Sequence, residues 1–398
     1  MSVIIHPHHF SGTVRIPASK SHTVRRLLLA ALAEGVSEIK YPLDSLDTRS
    51  CVSVCRALGV EITEIRGADP ASPNPKDGKD ESLISYMVKG KGHRSLPGIP
   101  VSCNVGNSGT TLYLSLAAAA LGTETVEFDG DEQIRRRSAG PLLGALTGLG
   151  IEINSAPGGF APLSVRGPWK GGRVSISCTT SQYLSPLLLA APLAPPGIIT
   201  EIDVPLLNER PYIEITLSYL KAQKISFDMK DDFSYFRIPG GAAYKPMNGP
   251  VPGDFSSAAF PACSAVVTGG DLTLLGLDPD DTQGDKELFV ILEKMGCQVK
   301  WEPVTRGSNS EWQLRIFREG PLRGGEFDLN ATPDMLPVMA VLGVYAQGET
   351  SLVNAAHARI KETDRIAVMA KELGKLGVKV EERPDGIVIH GKIGRAHV

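Results

Sequence analysis

One pattern recurs five times in this sequence and limits what the chain can fold into: an apolar helical stretch ends in a short turn, and a stretch rich in β-branched residues follows. The turns lie at Gly59, Gly150, Gln223, Gly296 and Gly377. Glycine favours the left-handed conformation that ends many helices, and Val and Ile favour the strands that follow; only Gln223 departs from this rule. Successive turns are about 70 to 90 residues apart, which is longer than a solenoid repeat, so each predicts a small α/β unit.

The distribution of these turns predicts two domains. Three turns precede residue 240 and two follow it, and the stretch from Arg237 to Gly253 is rich in Gly and Pro, as is typical of a crossing between domains. A chain of 398 residues is also too long for one ordinary core. The unequal count suggests a lost sixth unit. The polar stretch between Gly67 and Pro97 is expected to be an exposed excursion.

The charge balance excludes some classes of partner. With 41 Lys and Arg against 44 Asp and Glu, the formal net charge is −3, without the basic excess of a nucleic-acid or membrane-surface binder. The amino terminus lacks the pattern of a signal peptide, and no apolar run is long enough to span a bilayer. A cytoplasmic location is therefore expected.

The cysteines and the amino-terminal histidines do not predict a metal site. Six cysteines without C-x-x-C spacing indicate buried free thiols rather than a disulfide scaffold. Cys51 and Cys55 would share a helix face, and His6, His8 and His9 lie in a short strand-like segment. Neither set has the further ligands that a metal ion needs.

The first segment that suits an anion is a helix start at Lys20, Ser21 and Arg25. The helix is predicted to run to about Ala33, with Ser19 or Ser21 as its cap. Ser21 and Arg25 are four residues apart and share a face at the positive end of the helix dipole, where a phosphate or carboxylate binds best. A capped amphipathic surface helix is the alternative interpretation.

Three further segments place polar or basic groups just before a helix. A Gly-rich turn spans Gly106–Thr111, arginines occupy positions 135–137, and Thr180, Ser181 and Gln182 start another helix. Backbone N–H groups and guanidinium groups at such positions bind anions. Structural punctuation, a solvated basic turn and ordinary capping would explain each segment taken alone.

Carboxylates stand at two more helix starts. Asp334 precedes a strongly apolar helix, and residues 361–365, Lys-Glu-Thr-Asp-Arg, open another helix with Thr363 as the predicted cap. A carboxylate that stabilises the helix dipole and a solvated charged face are the alternatives. One site that gathers cations and acid–base carboxylates explains all these helix starts together more simply than separate structural roles.

At these segments the sequence resembles the 5-enolpyruvylshikimate-3-phosphate synthase family, from Lys20 through Gly377. The order and spacing of the family's motifs match. They are Lys-Ser-x-x-x-Arg at Lys20–Arg25, Gly-Asn-x-Gly-Thr at Gly106–Thr110, Arg at Arg137, Ser-Gln at Ser181–Gln182, Pro-Tyr-Ile at Pro211–Ile213, Gly-Asp-x-Ser-Ser at Gly253–Ser257, Pro-Asp at Pro333–Asp334 and Lys-Glu-Thr-Asp-Arg at Lys361–Arg365.

The resemblance implies an α/β fold of two lobes built from repeated βαβαββ units, the last unit incomplete or missing. Residues 1–13 and 241–398 would form the first lobe, and residues 14–240 the second. The implied reaction transfers the enolpyruvyl group of phosphoenolpyruvate to the 5-hydroxyl of shikimate 3-phosphate and releases phosphate without a metal or organic cofactor. A monomer that binds neither nucleic acid nor membrane is expected.

The resemblance also implies roles for individual residues. Shikimate 3-phosphate would be held by Lys20, Ser21, Arg25, Thr180, Ser181, Gln182, Tyr212, Asp334, His357 and Lys361. Phosphoenolpyruvate would be held by Lys20, Gly109, Arg137, Gln182 and Arg365. The addition needs a base for the hydroxyl and an acid for the methylene carbon. Asp334 is the expected base, and Glu362 or Lys20 is the expected proton donor at the carbon.

Three features depart from the family pattern. Tyr113 stands where many relatives have Arg, and Glu209 where many have Ser. The family's final segments, with an Asp-His-Arg motif and a further Lys, are absent, and the last six residues of GKIGRAHV resemble a translated sequencing adapter. We therefore expect a carboxy-terminal truncation and a poor catalyst.

Two alternatives stay open. The cell-wall enolpyruvyl transferase that uses UDP-N-acetylglucosamine shares the repeat fold, but it has Asn after the first Lys and a reactive Cys in a Gly-rich loop, unlike Ser21 and the GNSGTT turn here. A non-catalytic phosphate-binding protein on the same scaffold is the second alternative.

Overall fold

The computed structural model describes residues 8–67, 82–92, 98–306 and 309–391, which form two compact units. The continuous unit runs from Ala18 to Val251, and the split unit comprises the described residues up to Pro17 and from Pro252 onward. The lobe boundaries after residues 13 and 240, which the family resemblance implies, stay predictions. His6 and the final seven residues of the chain, on which the adapter interpretation rests, lie outside the described residues.

Strands and helices alternate along the chain. In chain order, the strands are β1 (Gly12–Arg15), β2 (Glu34–Lys40), β3 (Glu61–Gly67), β4 (Ser82–Lys91), β5 (Val101–Asn104), β6 (Val126–Asp129), β7 (Glu152–Ala156), β8 (Phe160–Arg166), β9 (Gly172–Cys178), β10 (Ile199–Leu207), β11 (Asp228–Met229), β12 (Tyr235–Pro239), β13 (Asn248–Pro250), β14 (Asp271–Leu275), β15 (Cys297–Arg306), β16 (Asn309–Arg318), β17 (Glu326–Asp328), β18 (Glu349–Val353), β19 (Lys379–Arg383) and β20 (Gly386–His390). The α-helices are α1 (Lys20–Leu32), α2 (Leu46–Ala57), α3 (Gly109–Ala119), α4 (Gly140–Gly148), α5 (Leu184–Ala190), α6 (Arg210–Ala222), α7 (Phe255–Thr268), α8 (Glu287–Lys294), α9 (Leu336–Tyr345) and α10 (Arg365–Lys375). Short 3-10 helices lie at Ile134–Arg136, Ser181–Tyr183, Ala191–Leu193, Gly284–Lys286, Pro333–Met335 and Ala356–Ile360.

The strands of the described residues form five four-stranded sheets with one common plan. In each sheet the first two strands pair in parallel and the other pairs are antiparallel. In the sheets that begin with β5, β9 and β17, a helix follows each of the first two strands. The strand orders are β13-β2-β4-β3, β5-β6-β8-β7 and β9-β10-β12-β11 in the continuous unit, and β1-β14-β16-β15 and β17-β18-β20-β19 in the split unit. The predicted βαβαββ unit is confirmed as a continuous stretch in the sheets that begin with β5, β9 and β17, and the sheets that begin with β13 and β1 share its strand order.

Two sheets take their first strand from a distant part of the chain. β1 pairs in parallel with β14, so that Gly12 lies opposite Leu272. β13 pairs in parallel with β2, so that Asn248 lies opposite Glu38. The amino-terminal strand therefore completes a sheet of the split unit, and the last strand of the continuous unit completes that unit's first sheet.

A left-handed residue ends the second helix of every unit, as the recurring turns predict. Its φ is 89° at Gly59 and Gly150, 99° at Gly296 and 77° at Gly377. In the remaining unit the helix ends at its C-cap Gln223, where the turn was expected, and the left-handed residue is the next one, Lys224, with φ 57°. The turn geometry is thus common to all five units even where glycine is missing.

The prediction of an exposed excursion between Gly67 and Pro97 was wrong in part. Ser82–Lys91 forms β4, which pairs with both β2 and β3, and its side chains Leu83, Tyr86 and Val88 are buried. Residues 68–81, which carry most of the polar composition, lie outside the described residues. The many polar residues of this segment dominated the composition of the whole stretch, so the strand that follows them was not recognised.

The sheets position polar helix starts at the carboxyl ends of their parallel strands. In the second sheet, for example, β5 ends at Asn104 just before α3, and β6 ends at Asp129 just before the 3-10 helix Ile134–Arg136. Ligands of α/β proteins commonly bind outside the carboxyl ends of parallel strands. The continuous unit and the split unit each have their own apolar core.

Two further expectations concern the described residues as a whole. All six cysteines are buried and free, which confirms the prediction of buried thiols. No helix in the described ranges is long and apolar enough to cross a membrane.

Candidate active site

Lys20 opens α1 and forms an ion pair with Asp47 of α2, with 3.1 Å between Nζ and Oδ2. Sequence reasoning missed Asp47, because it sits in the first turn of a helix with an ordinary capping box at Ser45 and Thr48. Ser19 occupies the N-cap position of α1, but in the described structure its side chain makes no capping bond. Ser21 lies inside the helix, so of the two expected serines it is Ser19 that takes the N-cap position.

Arg25 is buried, which argues against the alternative of an amphipathic surface helix. Its guanidinium donates to Thr216 Oγ1 at 3.0 Å, Ser21 O at 3.2 Å, Tyr212 O at 3.2 Å and Ser185 Oγ at 3.3 Å. Burial lowers its pKa to about 10, and nearby tyrosines oppose this. These bonds engage four of the five N–H donors of an arginine. Arg25 thus joins α1 to α5 and α6 as a fixed internal cation.

The Gly-rich turn and Arg137 come together at the start of α3. Ser108 caps the helix by accepting from Thr111 N at 3.2 Å, and Gly109 is its first residue. Arg137 donates from Nη2 to Asn107 Oδ1 at 3.0 Å. A Cβ at Gly109 would lie 2.9 Å from Arg137 Nη1. The missing side chain of Gly109 therefore leaves the space that the guanidinium uses.

Gln182 reaches the same helix start from another sheet. Its Nε2 donates to Thr110 Oγ1 at 3.3 Å, and its Oε1 would lie 3.5 Å from a Cβ at Gly109. The structure thus brings together Gly109, Arg137 and Gln182, three of the residues expected to hold phosphoenolpyruvate. They come from two different βαβαββ repeats, both within the continuous unit Ala18–Val251.

Only the last of the three consecutive arginines joins this cluster. Arg135 pairs with Asp129, and Arg136 pairs with Glu132 at 3.4 Å on the exposed surface. For these two the interpretation as a solvated basic turn is correct. Arg137 differs because it ends the 3-10 helix and turns back toward α3.

Thr180 and Ser181 surround a buried carboxylate. Glu209 Oε2 accepts from Thr180 Oγ1 at 2.8 Å, from Ser181 Oγ at 2.9 Å and from Ser181 N at 3.0 Å. Glu209 was noted from the sequence only as a departure from the family pattern. The structure shows that its side chain engages two of the residues expected to hold shikimate 3-phosphate.

Tyr113, the other departure, belongs to the packing beneath the site. It is buried, its ring meets the ring of Tyr183 edge to face at 5.6 Å, and both hydroxyls donate to Ser138 O at 3.3 and 2.9 Å. Burial raises the pKa of Tyr113 above its ordinary value. It supports the segment that leads into α4.

In the split unit, Arg365 connects two carboxylates. It opens α10 and donates from Nη1 to Asp334 Oδ1 and, at 3.3 Å, to Pro333 O. Its Nη2 donates to Glu362 Oε2 at 3.0 Å. Burial opposes the charged form of Arg365, but Asp334 and Glu362 outweigh it and raise the pKa. The structure thus gathers the expected base, one expected proton donor and an expected phosphoenolpyruvate ligand.

The residue that caps α10 differs from the predicted one. Asp364, not Thr363, caps the helix by accepting from Ala367 N at 2.9 Å. His357 is buried in the 3-10 helix Ala356–Ile360, and Lys361 directly follows that helix. An aspartate with extended backbone suits the N-cap position at least as well as threonine, so both candidates fit the sequence pattern.

Asp285 is a buried carboxyl group that sequence reasoning missed. It accepts a hydrogen bond from Ser256 Oγ and is 3% exposed. Burial and the neighbouring charge of Asp334 raise its pKa to about 8. Nothing in its local sequence marks it, because its environment is set by α7 and by the loop that carries Asp334.

The fold and these helix starts define the class of protein. The structure of an EPSP synthase from Acinetobacter baumannii superimposes with a TM-score of 0.75 at 26% identity, covering 96% of this chain and 82% of that chain. This likeness confirms the predicted enolpyruvyl transferase fold.

The sequence comparisons identify the family. A 3-phosphoshikimate 1-carboxyvinyltransferase of Acetivibrio thermocellus is 47% identical over 381 residues, which is 95% of this chain and 83% of the relative. One from Methanothermobacter thermautotrophicus is 37% identical over 390 residues, 96% of this chain and 84% of the relative. The EPSP synthase (3-phosphoshikimate 1-carboxyvinyltransferase) family matches residues 5–398, and the chain belongs to it. The truncation and its effect on catalysis stay predictions.

Proposed function

We propose that this chain transfers the enolpyruvyl group of phosphoenolpyruvate to the 5-hydroxyl of shikimate 3-phosphate and releases inorganic phosphate. The observation that carries the proposal is the convergence of Gly109, Arg137 and Gln182 at one helix start, in a chain that belongs to this enzyme family along its length. Phosphate and carboxylate groups need cations and N–H donors gathered from separate segments. The helix starts of this fold supply them.

The proposed binding residues follow this division. Phosphoenolpyruvate is held by Lys20, Gly109, Arg137, Gln182 and Arg365. Shikimate 3-phosphate is held by Lys20, Ser21, Arg25, Thr180, Ser181, Gln182, Tyr212, Asp334, His357 and Lys361. Arg25 contributes mainly by fixing the backbone of Ser21 and Tyr212, to which it is already bonded.

Asp334 acts as the base in the proposed mechanism. Arg365 favours the ionised form of this carboxylate, so that Asp334 can accept the proton of the 5-hydroxyl. The hydroxyl oxygen then bonds to C2 of phosphoenolpyruvate while C3 gains a proton from Glu362 or Lys20. Loss of a C3 proton and cleavage of the C2–O bond to phosphate then give the enol ether and inorganic phosphate.

Phosphate release tests the proposal directly. The chain is incubated with phosphoenolpyruvate alone, with shikimate 3-phosphate alone and with both, and inorganic phosphate is measured over time. Release that requires both substrates supports the proposal, whereas binding of both without release would favour the non-catalytic alternative. Arg136→Ala is a matched control for Arg137→Ala, because Arg136 is exposed and pairs with the exposed Glu132.

The cellular setting is also part of this proposal. We assign the reaction to the cytoplasm, the location that the sequence pattern predicts, and to a monomer, as expected from the family resemblance. Sedimentation of the purified chain tests the monomer, and fractionation of the source cells tests the location.

A further inference from the structure

Glu209 lies where two parallel strands end. β9 and β10 pair in parallel, with Cys178 opposite Leu207 at their carboxyl ends. Thr180 and Ser181 follow the first strand and Glu209 follows the second. The carboxyl ends of such a pair are the usual place for a ligand, but here a side chain of the protein fills the position.

The donors around Glu209 converge on one oxygen atom. Two hydroxyls and one backbone N–H, 2.8 to 3.0 Å away, all donate to Oε2. Glu209 is 1% exposed, Ser181 2% and Thr180 7%. A phosphate oxygen arriving at Thr180 and Ser181 would need these same three hydrogens and would meet a carboxylate already in place.

The backbone of Glu209 is held in a costly conformation. Its φ of 57° and ψ of 40° are left-handed, which is unfavourable for a residue that has a Cβ. Glu209 is also the N-cap residue of α6, yet in the described structure its side chain does not cap that helix. Its carboxylate is directed instead at Thr180 and Ser181.

We propose that Glu209 is an internal competitor for the phosphate group of shikimate 3-phosphate, and this inference rests on the proposed function. In the free protein its carboxylate occupies the donors of Thr180 and Ser181. Binding of the substrate phosphate requires the carboxylate to give up these hydrogen bonds and turn away, because two anions cannot share them. Glu209 therefore lowers the affinity for the phosphorylated substrate and keeps the empty site closed by its own side chain.

The competition is tested by the dissociation constants of shikimate 3-phosphate and of shikimate, measured by calorimetry. Glu209→Gln keeps the shape and removes the charge, and Glu209→Ser removes the competing group. Both variants are expected to bind shikimate 3-phosphate about ten-fold or more tightly than the wild type. Binding of shikimate, which has no phosphate, should change by less than about two-fold. Glu214→Gln on the same helix, an exposed partner of Arg210, is the control and should leave both constants unchanged.

Each outcome is decisive. Weaker or unchanged binding of shikimate 3-phosphate by a folded Glu209→Gln or Glu209→Ser would overturn the proposal, and equal changes for both ligands would indicate a structural role. If one variant fails to fold, the other decides. Wild-type turnover, measured in parallel, separates this inference from the proposed function: an active wild type with no gain in the variants refutes the competition alone.

Discussion

The substitution Asp285→Asn should change how the stability of the split unit depends on pH. Asp285 is buried beside Ser256 and near Asp334, and its pKa is raised from 3.8 to about 8, first by burial and then by the charge of Asp334. The native state therefore keeps a proton on Asp285 at neutral pH, whereas the unfolded chain has lost it. Asparagine matches the shape of this neutral acid but cannot ionise.

The sign follows from proton binding. Stability from a group whose pKa is raised on folding is fully present below the unfolded pKa and is lost as pH rises through the folded pKa. For Asp285 the loss covers pH 3.8 to about 8. The slope is about 1.4 kcal/mol per pH unit. Between about pH 5.5 and 7.5 the wild type should therefore lose on the order of 2–3 kcal/mol relative to Asp285→Asn.

Urea denaturation at several pH values measures this difference. Tryptophan fluorescence is a suitable probe, because Trp301 and Trp312 lie in strands of the split unit. Asp280→Asn, at an exposed aspartate in the turn before the 3-10 helix Gly284–Lys286, is the control and should stay within about 0.5 kcal/mol of the wild type. A constant difference between Asp285→Asn and wild type across this pH range would refute the reasoning that Asp285 is protonated in the native state.

Three further outcomes are expected. Asp334→Ala should lower kcat by about 10²–10⁴, the range for loss of a general base, with binding of shikimate 3-phosphate still measurable; activity within a few-fold of wild type would remove Asp334 from the base role. Gly109→Ala places a methyl group 2.9 Å from Arg137 Nη1, so the guanidinium must move and KM for phosphoenolpyruvate should rise about ten- to a hundred-fold in steady-state assays; an unchanged KM would contradict the assignment of Arg137. Lys224→Gly should raise the free energy of unfolding by about 1 kcal/mol in urea melts, because φ is 57° at this exposed turn; destabilisation would show that the lysine makes a compensating contact.

The repeated turns could be predicted because their cause is local. A helix that ends in a left-handed residue leaves a mark at Gly59, Gly150, Gly296 and Gly377 that needs no knowledge of distant contacts. Lys224 shows the limit of this reasoning, since tertiary packing imposes the same backbone on a residue with a Cβ. β4 shows another limit, because polar residues before it dominate the composition of its stretch.

The site residues also divide into those with a local sequence signal and those that depend on distant contacts. Helix starts such as Gly109 and Asp334 are visible in the sequence as changes from polar to apolar composition. Asp47 and Asp285 are not, because their importance comes from Lys20 and Asp334, which are remote in sequence. The spacing of Arg25 from Ser21 suggested a shared face for an anion, but a periodic pattern cannot show that other helices already use the donors of this arginine.

β1 and β13, which complete sheets formed by distant parts of the chain, determine how this chain could be divided into fragments. A gene segment for residues 18–251 encodes every strand of three sheets, including β13, which joins β2 at the end of synthesis. A segment that begins at Pro252 would leave β14 with an open edge, because its partner β1 is encoded at the other end of the gene. A peptide that covers residues 8–17, added to such a fragment, would act as a complementing strand, so reconstitution by a short peptide is a property that only the split unit should have.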